Sequence, residues 1–99
     1  MKVYRDNLKK AANRVGASIQ FAGSDMGEWC YPTPYRVEDW PTAEKIAEQL
    51  EEQGWFIETR GDKAITLSID DHVVEVAERS GEATLTLDTR KSITSAPAH

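Results

Sequence analysis

The side chains able to do chemistry are few, and their spacing does not assemble them. Asp70, Asp71 and His72 stand together, but neighbours at a hairpin tip splay apart rather than converge on one reacting atom, and the other histidine is the final residue, His99. Cys30 is the only cysteine. It has neither a C-x-x-C partner for a zinc site nor a histidine close in sequence to make a thiolate nucleophile. The expectation is a protein with no catalytic residues, no metal and no cofactor. Arg60-Gly61-Asp62 spells an adhesion tripeptide, but "MKVYRDNLKK" lacks the apolar stretch of a signal peptide, so secretion is not expected and these residue types read as a turn.

Binding chemistry is better represented. Glu44, Glu48, Glu51 and Glu52 fall on one flank of a helical pattern, where like charges four residues apart cost a few tenths of a kcal/mol each. Stability alone does not select that arrangement. Read functionally, it is an acidic docking stripe for a basic partner, and in its sharpest form a mimic of a phosphate backbone, with carboxylates about 5–6 Å apart on successive turns. Just before it, "GEWCYPTPYRVEDWP" (residues 27 to 41) gathers Trp29, Tyr31, Tyr35 and Trp40 among three prolines. The prolines restrict the segment, so displayed rings would be positioned before a partner arrives. Two rings are expected on display and two in the core, with Trp40 closing the core. Trp29, Tyr31 and Tyr35 are the candidate interface anchors, and Glu44, Glu48 and Glu51 the charged rim. Arg36 is the segment's lone cation against Asp25, Glu28, Glu38 and Asp39, which favours a protein partner over stacked bases.

Charge is uneven along the chain. The net charge is −5, yet the first twenty residues carry Lys2, Arg5, Lys9, Lys10 and Arg14 against Asp6 alone. The acidic remainder repels nucleic acid, so any such contact would run through Lys2, Arg5 and Lys9 on one flank of the first helix. These cations also bracket an apolar stripe, where long basic side chains cover apolar surface with their stems. "LKKAANRVGAS" begins like a helix-turn-helix, but Ala22 and Asp25 stand where a recognition helix needs apolar residues. "IAEQLEEQGWFIETRGDKAITLSI" (residues 46 to 69) resembles the last helix and wing of a winged-helix DNA-binding domain. That resemblance implies a nucleic-acid-binding regulator, which is the alternative function. It departs from the family in two ways: the helix carries glutamates that would meet phosphates with like charge, and the hairpin runs on into two more strands.

The elements that must position these residues follow from periodicity. Tyr4, Leu8, Ala11, Ala12 and Val15 predict an amphipathic helix over residues 3 to 15, stopped by Gly16. "PTAEKIAEQLEEQG" predicts a second, with Ala43, Ile46, Ala47 and Leu50 on its apolar face and Gly54 at its end. From Trp55 the period changes to two. "WFIETR", "AITLSI", "HVVEVAE" and "ATLTLD" predict four strands joined at Gly61-Asp62, Asp70-Asp71 and Ser80-Gly81, an antiparallel meander. Ile65, Leu67, Ile69, Val74, Val76, Leu85 and Leu87 form its apolar face, and Thr66, Ser68, Glu75, Thr84, Thr86 and Asp88 its wet one. "ASIQFA" is a candidate for a short fifth strand, and residues 22 to 41 are expected to be loop.

The fold expected is α+β, with two helices packed on one face of a four-stranded antiparallel meander sheet. At 99 residues it is one domain, assigned to residues 1 to 91 with a flexible tail at 92 to 99. No apolar run is long enough to span a bilayer, so the expectation is a cytoplasmic protein with no membrane partner. The leading function is a non-catalytic protein-binding module: a small acidic regulator or inhibitor of a protein with a basic surface. By analogy of type it could be encoded by a phage or mobile element and block a host enzyme or nucleic-acid-binding machine. Two copies could also pair through an uncovered sheet face or edge.

Overall fold

Residues 3–23 and 31–89 are described by the computed structural model. Lys2, Trp29, Cys30, the domain end expected at residue 91 and the tail expected beyond it lie outside the described residues.

The first helix, α1 (Val3–Arg14), buries Leu8, Ala11 and Ala12, the i, i+3, i+4 stripe that its sequence specifies. It ends where Gly16 takes a φ of 74°, so that the Ala17 N–H reaches the Ala12 carbonyl at 2.9 Å and the Gly16 N–H that of Asn13 at 3.0 Å. The second, α2 (Trp40–Glu52), starts on Asp39, whose Oδ1 accepts from the Thr42 N–H at 2.9 Å. Its end repeats the device of the first. Gly54 has a φ of 111° and the Trp55 N–H bonds to the Leu50 carbonyl at 3.0 Å, which turns the Trp55 ring into the core.

The strands are β1 (Gln20–Phe21), β2 (Thr33–Val37), β3 (Phe56–Gly61), β4 (Ala64–Ile69), β5 (His72–Arg79) and β6 (Glu82–Thr89). They form one antiparallel sheet in the order β1-β2-β6-β5-β4-β3. The class is α+β as expected, with two helices, but among the described residues the sheet has six strands rather than four or five. The meander of β3 to β6 and the short β1 match the sequence patterns; β2 was expected to be loop. Its own alternation explains it, because Thr33, Tyr35 and Val37 are buried while Pro34 and Arg36 face outward. Pro34 is tolerated because its carbonyl accepts from the Ala22 N–H at 2.9 Å, which puts its missing N–H on the same side, toward the short edge strand β1, so that the ladder to β6 loses no donor. The first hairpin also turns one residue later than expected. Gly61 pairs with Ala64, so the tip is Asp62-Lys63, with Lys63 at a φ of 64°.

Register sets Ile57, Leu67, Val74, Leu87 and Thr33 in one inward-facing row and Ile65, Val76, Leu85 and Tyr35 in the next. Since β2 pairs with β6 and β3 lies at the far edge, α2 must cross the sheet to connect them, covering β6, β5 and β4 as it goes. Residues from both helices join the inward rows in a single core. The outward face carries Thr66, Ser68, Glu75, Thr84, Thr86 and Asp88, as the alternation requires. Both edges are built against strand addition: β1 is two residues long, and β3 is bulged between Ile57 and Thr59 and carries Glu58 and Arg60. Among the described residues no helix is long and apolar enough to cross a membrane.

Candidate functional site

The acidic flank of α2 is built by helix geometry and by the crossing of the sheet. Ala43, Ile46, Ala47 and Leu50 point at the core, which leaves Glu44, Glu48 and Glu51 on the i, i+4, i+7 line along one side. Glu44 Oε2 lies 3.7 Å from Arg60 Nη1, so this side overlooks the β3 edge. The basic α1 sits toward β2, where Arg5 Nη2 donates to Thr33 Oγ1 at 3.2 Å. Arg5 of α1 and Glu44 of α2 thus point toward different strands, β2 and β3, at opposite ends of the strand order. Among the described residues, Glu48, Glu51 and Glu52 form no ion pair, and the Glu44–Arg60 contact is long and largely exposed.

The aromatic candidates separate. Trp29 lies outside the described residues. Tyr35, expected as a displayed anchor, is instead 0 % exposed, its ring packed edge-on to Phe21 with centroids 6.2 Å apart. The reason is strand β2: once Thr33, Tyr35 and Val37 alternate inward against β6, the ring has no surface position. Trp40 is half-buried against the core, as expected.

Tyr31 is half-buried and joins a polar cluster at one end of the sheet. Its hydroxyl lies 2.8 Å from His72 Nε2, and His72 Nδ1 lies 2.8 Å from Asp71 Oδ1. The Tyr4 ring stacks on the imidazole at 4.0 Å, and its hydroxyl donates to Asp70 Oδ2 at 2.8 Å. That hydrogen bond to a carboxylate favours the protonated phenol and raises the Tyr4 pKa above its ordinary value. The guanidinium of Arg5 lies over the Tyr31 ring, 4.9 Å from its centroid. Arg5 is only 5 % exposed, so this candidate nucleic-acid contact is withdrawn from the surface by the cluster it joins. Lys9 stays exposed on α1, and Lys2 lies outside the described residues.

Sequence reasoning missed His72, because adjacency to Asp70 and Asp71 read as a turn. The turn is there, with Ile69 paired to His72 across it. Alternation nevertheless places His72 on the inward face with Val74 and Val76, and that was the available signal. A carboxylate–imidazole–phenol array has the form of a proton relay, but both ring nitrogens of His72 are bonded within the fold. The array ties α1, residue 31 and the β4–β5 turn together. Among the described residues no group of three or more His, Cys, Asp or Glu side chains could hold a metal ion. Phe56 was also overlooked as a surface feature; it is 67 % exposed on the outward face. Compared with known protein families, with characterised proteins and with solved structures, the chain matches none.

Proposed function

We propose that this chain is a non-catalytic protein-binding module, a small acidic regulator or inhibitor that meets the basic surface of a partner through Glu44, Glu48 and Glu51. The observation carrying this reading is the orientation of α2. Its glutamate line lies beside the β3 edge, where Glu44 meets a half-exposed Arg60 at 3.7 Å and, among the described residues, Glu48 and Glu51 form no ion pair. Exposed carboxylates in a row act chiefly by attracting and orienting an oppositely charged surface, and they raise the rate of encounter more than the final affinity. The burial of Arg5 weighs against the alternative of a nucleic-acid-binding regulator acting through α1. By analogy of type alone, the target could be a host enzyme or nucleic-acid-binding machine and the source a phage or mobile element.

The test starts with capture of the partner from the native host and its identification by mass spectrometry. Association is then measured for the wild type and for Glu44→Lys/Glu48→Lys/Glu51→Lys at two salt concentrations. Charge reversal is expected to slow association, and more so at low salt, where the Debye length grows from about 8 Å toward 30 Å. Equal on-rates for the two proteins, or a micromolar complex with nucleic acid near physiological salt that weakens on Lys9→Ala, would overturn the reading.

A further inference from the structure

The sheet face turned away from both helices carries features that the flank of α2 does not use. On it, register sets Phe56, Ser68, Val73 and Asp88 in one cross-strand row and Thr59, Thr66, Glu75 and Thr86 in the next. Between the rows, Thr66, Val73, Glu75, Thr86 and Asp88 line a depression of about 280 Å³. Val73 is buried, and the lining includes the two threonines and the carboxylate residues Glu75 and Asp88. Because Val73 pairs with Asp88 and Glu75 with Thr86, the two carboxylates are diagonal neighbours, about 7 Å apart at Cβ. The exposed Phe56 stands two strands from Val73, about 10 Å at the usual strand spacing.

We propose that this face docks an arginine side chain presented by a partner protein, its stem on Val73 and the threonines, and its guanidinium bridging Glu75 and Asp88. Phe56 receives an apolar neighbour of that arginine. The proposal rests on the reading of the chain as a binder of basic protein surfaces, but it uses a different face. The protein's own Arg79 shows the chemistry: its Nη2 lies 3.3 Å from Glu75 Oε2, while the side chain is 74 % exposed and easily displaced. Asp88 uses Oδ1 to accept from the Thr89 N–H at 2.8 Å, which leaves Oδ2 for a donor. A planar, two-pronged guanidinium fits two separated carboxylates better than the point charge of lysine. A phosphate would meet the two carboxylates with like charge, and a second copy presenting its own Arg79 is told apart by concentrating the protein without probe.

The inference can be tested by titrating the full chain, labelled with 15N, with N-acetyl-arginine amide, using the glutamine amide as control. The arginine probe is expected to move the backbone amide signals of Thr66, Val73, Glu75, Thr86 and Asp88, and the glutamine probe to leave them in place. Glu75→Gln/Asp88→Asn should weaken the arginine response about tenfold or more, the loss expected for charge-assisted hydrogen bonds. Arg79→Gln, which removes the internal competitor, should strengthen it. Glu44→Gln/Glu48→Gln/Glu51→Gln should leave it unchanged, so failure of the α2 reading and failure of this one give different results. Shifts confined to α2, an equal response to glutamine amide, or movement of the same amides on concentrating the protein without probe would each overturn the proposal. The last of these would name a second copy as the occupant.

Discussion

Removing the Tyr31 hydroxyl is a small perturbation that decides whether this ring serves the fold or a partner. In the structure the hydroxyl is 2.8 Å from His72 Nε2, on an imidazole whose side chain is 13 % exposed. A hydrogen bond of this kind contributes about 1 kcal/mol net, and leaving a nearly buried ring nitrogen unpaired costs about 1–3 kcal/mol. Tyr31→Phe should therefore destabilise the protein by about 1–3 kcal/mol. With His72→Ala already in place the hydroxyl has lost its partner, and the same change should cost only about 0.5 kcal/mol or less. The double-mutant cycle then yields a coupling of about 1 kcal/mol or more. Urea denaturation of the four proteins measures it, with unchanged m-values as the condition for comparing them. If Tyr31→Phe costs the same in both backgrounds within about 0.5 kcal/mol, the residues act independently and the tie is not part of the fold's stability. The result also bears on function, because Tyr31→Ala would then lower both stability and binding and could not by itself identify an interface residue.

Leu67→Ala, which opens a hole in the central strand row under α2, should cost about 2–5 kcal/mol, whereas Thr66→Ala on the outward face should stay within about 0.5 kcal/mol; denaturant melts giving the reverse order would mean that the sheet faces are exchanged. The hydrogen bonds from Thr42 hold the Asp39 carboxyl below its ordinary pKa, so its charged form favours the folded state, and that contribution is present above the ordinary value and lost as pH falls through the folded one. The excess melting temperature of wild type over Asp39→Asn should accordingly shrink below about pH 5, and a pH-independent difference would count against the cap. Tyr4 and Lys63 have raised values, from the bond to Asp70 and the ion pair with Glu78, so their contributions are present below their ordinary values and lost as pH rises through the folded ones. Tyr4→Phe and Lys63→Met should each flatten the alkaline limb of a melting-temperature profile, and an unchanged limb would exclude the bonds named.

What could be determined from the sequence was local. The stripes of α1 and α2, the glycines that end them, the strands β3 to β6 and the turns at Asp70-Asp71 and Ser80-Gly81 are each written within a few residues, because 3.6- and 2-residue periods and positive-φ positions are short-range properties of the backbone. The glutamate line was legible for the same reason, since i, i+4 and i+7 on a helix share a side wherever the helix goes. The side of the molecule that line would face was not legible. That depended on α2 crossing from β2 to β3, which follows from β2 pairing with β6 nearly fifty residues later in the chain. The same pairing carried Tyr35 inward, against the expectation of display, and brought Tyr31 to His72 and Arg5 to Thr33 across separations of 41 and 28 residues. Pro34 and the crowd of aromatics read as loop because proline lacks a ladder donor, and only the neighbouring strands could reveal that this donor faces the short β1 edge rather than β6. Each of these is a choice between faces of an element, and a face acquires meaning only when another element packs on it.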